Sequence, residues 1–356
     1  MKGRRGCGFL LLNVLVIALI LEIGFRIAFR DFFPPRLFEP HAQFGHFHRP
    51  NVEGIQRTAE YESHIKINSR GLRDQEYPYE KPEGVFRVLV MGDSFVEGLQ
   101  VEAEDTFPKV LETRLAQSSP LPVEVINAGV SRYGTSEAVL FFEAEGINYQ
   151  PDLVIYALYP NDITDNIASD LFRLEDGELI RQPIQIDPME RVRGFFYDTS
   201  YLYRVGLSIV LKLQQQQDET LIETGWGLVL PIYRADLQPR EQDAWALEAA
   251  LLTQLRNDAG EIPVMVVYLP EQFQTEDVLW EQVRRSDEVL DRDAPNHQLA
   301  AIIPAGVTFL DLSEEFRQRG QGAALYYDVD GHFNEAGHAL AAQLLEPLIL
   351  ETIHTP

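Results

Sequence analysis

Residues 86–98 read FRVLVMGDSFVEG, a short apolar run that passes directly into a Gly-Asp-Ser turn. Val88, Leu89, Val90 and Met91 leave no polar position between them, the pattern of a strand covered on both faces in a parallel sheet, and the chain turns at Gly92. Ser94 therefore falls at the carboxyl end of a sheet strand. In open α/β sheets ligands bind along that edge, and a hydroxyl just before a helical turn also meets oriented backbone N–H groups. Taken alone, Gly-Asp-Ser is also an ordinary turn, since all three residue types favour turns.

Downstream the same pattern recurs. Apolar runs at 86–91, 123–128, 153–158, 263–269 and 307–311 alternate with helical patterns near 106–117, 135–147, 241–259 and 276–292, and 335–350 closes the chain as a helix. This alternation predicts an α/β fold, a parallel sheet with helices on both faces, over residues 85–356. Thr106 is placed to cap the first of these helices, with Pro108 in its first turn, and Asn334 to cap the last. An insertion at about 163–240 carries a hairpin signal at EDGELI and an apolar helical stretch, YLYRVGLSIVLKL. That stretch is too short to span a bilayer and holds Arg204 and Lys212, so a packed or surface helix is expected.

Upstream, residues 9–25, FLLLNVLVIALILEIGF, are apolar apart from Asn13 and Glu22, and the apolar character runs on to Phe29. At ~1.5 Å per residue this is about one bilayer thickness. With Lys2, Arg4 and Arg5 in front of it, residues 1–30 are expected to form a single-pass membrane anchor, N-terminus cytoplasmic and catalytic domain periplasmic or extracytoplasmic. Arg26 and Arg30 work against that orientation. No small-x-small cleavage pattern follows the apolar core. Cys7, the only cysteine, precedes the anchor, so the exported part has no disulfide.

Residues 31–84 read first as a proline- and aromatic-rich juxtamembrane stalk, in which His41, His46 and His48 are expected to be solvated rather than metal ligands. From 51 to 84, the alternation in EYESHIKIN suggests a strand or hairpin covering one end of the main domain. With 356 residues, 45% of them hydrophobic, the chain can bury a full core. Its formal net charge of −25, from 55 acidic and 30 basic side chains, argues against nucleic acid or an anionic membrane surface as the main partner.

The chemistry-bearing residues collect at one edge of the predicted sheet. The first strand ends at Gly92-Asp93-Ser94, the second at Asn127-Ala128-Gly129 and the third at Tyr159-Pro160-Asn161-Asp162, while Asp328-Val329-Asp330-Gly331-His332 precedes the last helix. One site could thus hold a hydroxyl nucleophile, a base, an acid to orient it and donors for an oxyanion, the parts that ester chemistry requires. Asp93 and Asp162 read as turn-fixing residues, His338 as structural and Asp311 as a possible helix cap. Asp165 and Asn166 could hold a loop or touch substrate.

In this ordered set of blocks the sequence resembles the SGNH, or GDSL-like, hydrolase family. GDSFVEG matches the family's first block, GDSxxxG, and the resemblance covers roughly residues 60–350. It implies a flavodoxin-like, three-layer α/β/α fold, with Ser94 as nucleophile and its backbone N–H as one oxyanion donor. Gly129 matches the glycine whose N–H is the second donor, and Asn161 the asparagine whose side-chain amide completes the hole. Asp330 and His332 match the acid and base, and no metal or organic cofactor is implied.

Two departures stand out. Tyr159 occupies the glycine of the usual Gly-x-Asn-Asp, and Asp330-Gly331-His332 is one residue shorter than the usual Asp-x-x-His. The shorter spacing resembles that of membrane-linked polysaccharide O-acetyltransferases in the same superfamily. The expectation is a membrane-anchored serine esterase acting on acyl esters, O-acetyl groups of a cell-envelope or exported glycan foremost. The alternatives are a polysaccharide O-acetyltransferase, a lipid or lysophospholipid esterase, and a non-catalytic glycan-binding or assembly protein on the same fold. No protein partner is indicated.

Overall fold

Each of the apolar runs forms a strand of one sheet: β1 (Phe86–Gly92), β2 (Val123–Gly129), β3 (Leu153–Leu158), β4 (Val264–Tyr268) and β5 (Val307–Asp311). The computed structural model describes residues 2–30, 32–217, 230–285, 289–320 and 324–354. Neighbouring strands pair in parallel in the order β5-β4-β3-β1-β2. This is the doubly wound order in which a crevice opens between β1 and β3, where successive connections leave in opposite directions. Ser94 follows β1 and Asn161 follows β3, so the topology delivers both to that crevice.

The helices are α1 (Lys2–Ala28), α2 (Ser94–Glu97), α3 (Phe107–Ser118), α4 (Thr135–Ala144), α5 (Asp162–Ser169), α6 (Pro188–Thr199), α7 (Tyr201–Gln217), α8 (Pro239–Ala259), α9 (Gln272–Thr275), α10 (Asp277–Arg284), α11 (Ala294–Ile302), α12 (Ser313–Gly320) and α13 (Glu335–His354). Alternation along β1 assigns them to two layers. Val88 and Val90 pack with residues of α3 and α13, Leu89 and Met91 with residues of α4 and α8. All four β1 side chains are buried, and burying a Val, Leu or Met side chain is worth roughly 1.5–3 kcal/mol each.

Several expectations change at the level of caps and packing. Thr106 does not cap α3 with its side chain: its hydroxyl donates to Ala103 O at 2.8 Å, and Phe107 N–H donates instead to Nδ1 of the buried His338 at 3.2 Å. Asn334 does cap α13, its Oδ1 accepting from Ala336 and Gly337 N–H. The helix expected near 276–292 is present as α10, which closes at Arg284, and α11 begins separately with Pro295 in its first turn. The hairpin expected at EDGELI is present, Phe172–Glu175 against Glu178–Arg181, with positive φ at both Asp176 and Gly177 as a tight two-residue turn demands.

The N-terminal part differs more. Residues expected to form a stalk fold back as two hairpins, Phe38–His41 with Gly45–His48 and Glu53–Arg57 with Glu62–Lys66. Phe44, Phe47, Leu72 and Tyr77 lie in the same core as Met91. His48 is buried rather than solvated: Nδ1 donates to Gly71 O at 2.9 Å, Nε2 lies 2.7 Å from Glu97 Oε1, and the ring stacks on Phe38. Aromatic contacts and backbone acceptors explain why these residues leave water.

α1 covers the segment expected to anchor the chain, with side chains such as Phe9, Leu10 and Ile27 well exposed. Its Glu22 is tied to the insertion, accepting from Ser200 Oγ and from Tyr201 and Leu202 N–H at the start of α7. Among the described residues no helix is long and apolar enough to cross a membrane, and the side chains of residues 1–8 and Leu11 lie outside them. The expected transmembrane helix is thus without support in the fold.

Candidate active site

The turn after β1 is built by two residues. Gly92 has φ +155, and a Cβ there would stand 2.6 Å from Ala157 O, so only glycine lets β3 approach this closely. Asp93 then caps α2, its Oδ1 accepting from Phe95 N–H at 2.9 Å. Together they aim Ser94 out of the sheet edge, where its Oγ lies 2.8 Å from His332 Nε2. His332 Nδ1 in turn lies 2.6 Å from Asp330 Oδ1.

Residues remote in sequence hold this line in place. Tyr61 OH donates to the other Asp330 oxygen at 3.0 Å, and the Glu60 carboxylate accepts from Val329 and Asp330 N–H at 2.9 and 2.8 Å. The His332 ring stacks on Phe95, which stacks on Tyr159, with centroid distances of 4.7 and 3.9 Å. The tyrosine at the altered position of the third block therefore buttresses the histidine through one intervening ring. Arg73, fully buried, donates to Glu97, Gly98 and Val101 carbonyls and pins the chain that leaves α2.

Charge follows geometry here. Burial pulls the His332 imidazole down, but the hydrogen bond and charge of Asp330, with Asp93 and Glu271 nearby, outweigh it and leave the ring above its ordinary value of 6.5. For Asp330, burial pushes up, and the bonds from His332 and Tyr61 hold it below the ordinary carboxylate value. Burial also raises Asp93 to about 6 and Glu271 to about 7.

Ser94, Asn161, Glu271, Asp330 and His332 line one cavity of about 420 Å³. Asn161 begins the turn into α5 but does not cap it with its side chain, and its Oδ1 is buried with no hydrogen-bond partner among the described residues. The side-chain NH2, the group that could donate to a substrate oxygen, also has no hydrogen-bond partner among the described residues. Ser94 N–H likewise has no partner among the described residues.

Gly129 behaves differently from what the resemblance implies. Its N–H donates to Asn127 Oδ1 at 3.0 Å, and the residue is glycine because a Cβ would stand 2.3 Å from Glu97 N. Along the loop that follows, Val130, Ser131, Tyr133 and Gly134 N–H donate to Gly92 O, Glu97 Oε2, Val130 O and Glu137 Oε2. Arg132 alone keeps a free N–H among the described residues of that loop, and it has φ +69. The free donor sits on a residue in the left-handed region, where a glycine would ordinarily be sought.

Asp162, Asp311, Asn166 and His338 are structural in this fold. Asp162 accepts from Tyr156 OH at 2.7 Å and from Tyr159 N–H, and Asp311 accepts from Ser313 N–H at the start of α12. Asn166 ties Ser136 N–H to Glu248. Neutral His338 suits its role as acceptor for α3, since burial, with Arg73 and His332 near, lowers it to about 3. Asp165 and Asp328 line the cavity. Among the described residues no group of three His, Cys, Asp or Glu side chains is placed to hold a metal ion.

A family model described as the GDSL-like lipase/acylhydrolase family matches residues 90–340. Comparison with curated proteins finds no match. Similar solved structures include a catalytic mutant of an acetylxylan esterase from Geobacillus stearothermophilus, at 12% identity over 76% of this chain and 95% of that one, with a TM-score of 0.42. A lipase/acylhydrolase from Enterococcus faecalis is similar at 12% identity over 75% and 96% (TM-score 0.41), and a lipase from a goat rumen metagenome at 14% over 74% and 96% (TM-score 0.41).

Proposed function

The chain belongs to the GDSL-like lipase/acylhydrolase family and is a hydrolase acting on ester bonds, and on that premise we propose a serine esterase that removes O-acetyl groups from a cell-envelope or exported glycan. The observation that carries the reading is the continuous line Ser94 Oγ, His332 Nε2, His332 Nδ1, Asp330 Oδ1, with separations of 2.8 and 2.6 Å, opening into a cavity. Ser94 Oγ attacks the acyl carbon while its proton passes to His332 Nε2. Asp330 keeps the imidazole in the tautomer that can accept and stabilises the imidazolium. His332 then protonates the leaving alcohol, and the acyl group stays on Ser94 until water, deprotonated by the same ring, releases it.

The developing oxyanion has two donors within this scheme, Ser94 N–H and the Asn161 amide, both on residues that line the cavity. Thr164, Asp165, Glu271 and Gln272 in the cavity offer partners to a hydroxylated alcohol, which supports an acyl ester of a sugar. The shortened Asp-x-His spacing keeps a second reading, transfer of the acyl group to a sugar hydroxyl instead of water. We also propose that α1 holds the protein at a membrane with the catalytic domain exported, on the strength of its exposed apolar surface.

A fluorophosphonate should label the full-length protein in detergent at Ser94, and acetate should be released from an acetylated glycan without added acceptor. Absence of labelling in the intact protein overturns the serine mechanism. Acetate release only as transfer to an added sugar replaces hydrolysis by acyl transfer. Protease added to intact spheroplasts should remove the catalytic domain, and its full protection overturns the exported placement.

A further inference from the structure

Beside the catalytic cavity lies a larger one of about 680 Å³, within the ~300–1,000 Å³ usual for small-ligand sites. Its walls come from the first N-terminal hairpin at His46, the loop after β2 at Arg132, α4 at Glu137, α5 at Asp165 and Ser169, and the insertion hairpin with the segment that follows it. Asp165, on α5 four residues after Asn161, lines both cavities, so the two adjoin at that side chain.

Arg132 faces this junction with an uncommitted side chain. It is exposed, it makes no ion pair within 4.0 Å among the described residues, and its φ of +69 is one that only a well-supported non-glycine residue holds. Its charge is nevertheless felt by Asp165, whose carboxyl burial raises to about 6 and Arg132 pulls back. Arginine and carboxylate line the same cavity and form no ion pair within 4.0 Å. A hydroxyl group suits such a pair, because it can donate to the carboxylate and accept from the guanidinium in the same pose. The surrounding His46, Ser169 and Gln182 offer further donors and acceptors, and no extended apolar wall invites an acyl chain.

We propose that this second cavity binds the sugar chain on the alcohol side of the scissile ester, with a sugar hydroxyl bridging Arg132 and Asp165 at the junction. The inference rests on the esterase reading above and adds to it a neutral, hydroxyl-rich ligand longer than one ring. Arg132 acts as a specificity residue through its guanidinium.

The test uses full-length protein in detergent and two probes, mono-O-acetylated methyl xyloside and mono-O-acetylated xylotetraose, with 4-nitrophenyl acetate as reference ester. The kcat/KM of the tetrasaccharide should exceed that of the single sugar by about tenfold or more, mainly through KM. Arg132→Gly removes the guanidinium yet keeps the left-handed turn and the N–H, and it should bring that ratio close to one; Asp165→Asn should lower it in the same sense. A ratio near one in the unmodified protein, or a ratio unmoved by both variants, overturns the subsite. Failure of the esterase reading looks different: none of the three esters is turned over. In that case calorimetry of unacetylated xylotetraose decides, with binding that Arg132→Gly weakens about tenfold supporting the subsite and absence of binding overturning it.

Discussion

Two regions meet at Asp330. The loop 328–334 supplies the acid and the imidazole within three residues, and the N-terminal hairpin around Tyr61, 269 positions away, supplies the hydroxyl that holds the acid's second oxygen. The first region carries the proposed chemistry on a short motif at a sheet edge. The second carries none, yet it fixes the carboxylate through Tyr61 and the backbone of 329 and 330 through Glu60. Bond-making groups cluster where the fold's edge puts them, whereas the groups that aim them can come from any segment that packs nearby.

The comparison breaks outright if the motif residues are dispensable. Ser94→Ala is expected to abolish covalent turnover and phosphonate labelling, leaving at most the residual ~10³–10⁴-fold catalysis over water that a serine site keeps without its triad. Asp330→Asn should retain the fold and substrate binding but lose up to ~10⁴ in kcat, because the imidazole loses the partner that sets its tautomer. Asp328→Asn, two residues earlier and exposed to solvent, should change kcat little. Steady-state kinetics with circular dichroism on the three variants decides, and a severe Asp328→Asn effect would move the acid and remove Tyr61's claim to support it.

Asn161 comes next in size. Its side chain has no structural employment in the fold, so its contribution should appear only as charge develops on the substrate oxygen. Asn161→Ala is expected to lower kcat by about 10²–10³ with little change in KM. A wild-type kcat in a protein whose Ser94 still labels would leave the oxyanion to backbone donors alone.

The motif side of the comparison was legible in the sequence, and the supporting side was not. Five apolar runs became five parallel strands because burial on both faces leaves a pattern that needs no partner to be recognised. Ser94, Asn161, Asp330 and His332 line one cavity because strand ends in such a sheet share an edge. Gly129 misled for a physical reason. Glycine serves equally for a free N–H in a left-handed turn and for close packing, and here the packing against α2 claims it while Arg132 holds the turn. His48 looked like a solvated polar residue; only the fold reveals the Gly71 carbonyl and the Glu97 carboxylate that bury it. The helix near 276–292 was drawn too long because its apolar positions fit one long period, whereas α10 closes at Arg284 and a proline opens α11 later.

Tyr61 decides whether the remote region only props up the fold. Tyr61 stays a donor at every working pH, because burial and the nearby Asp330 charge raise its hydroxyl to about 12. Tyr61→Phe removes one donor from the Asp330 carboxylate and, with it, the acceptor for Gln56 Nε2, which donates to the tyrosine hydroxyl at 3.0 Å. With fewer bonds to share its charge, Asp330 acts more strongly on the imidazole, so His332, already above its ordinary value, rises further. A protonated ring cannot accept the Ser94 proton, so activity is lost as pH falls through the His332 value, and Tyr61→Phe should shift that acid limb of kcat/KM to higher pH by a few tenths of a unit. Asp330→Asn should shift it the other way, because the charge that raises the ring is gone. On the alkaline plateau Tyr61→Phe should cost roughly two- to fivefold in kcat, the scale of one net hydrogen bond. A lower melting temperature with an unmoved acid limb would reduce Tyr61 to packing. A moved limb with an unchanged melting temperature would make the N-terminal hairpin part of the proton-transfer machinery, for which Tyr61 positions the acid.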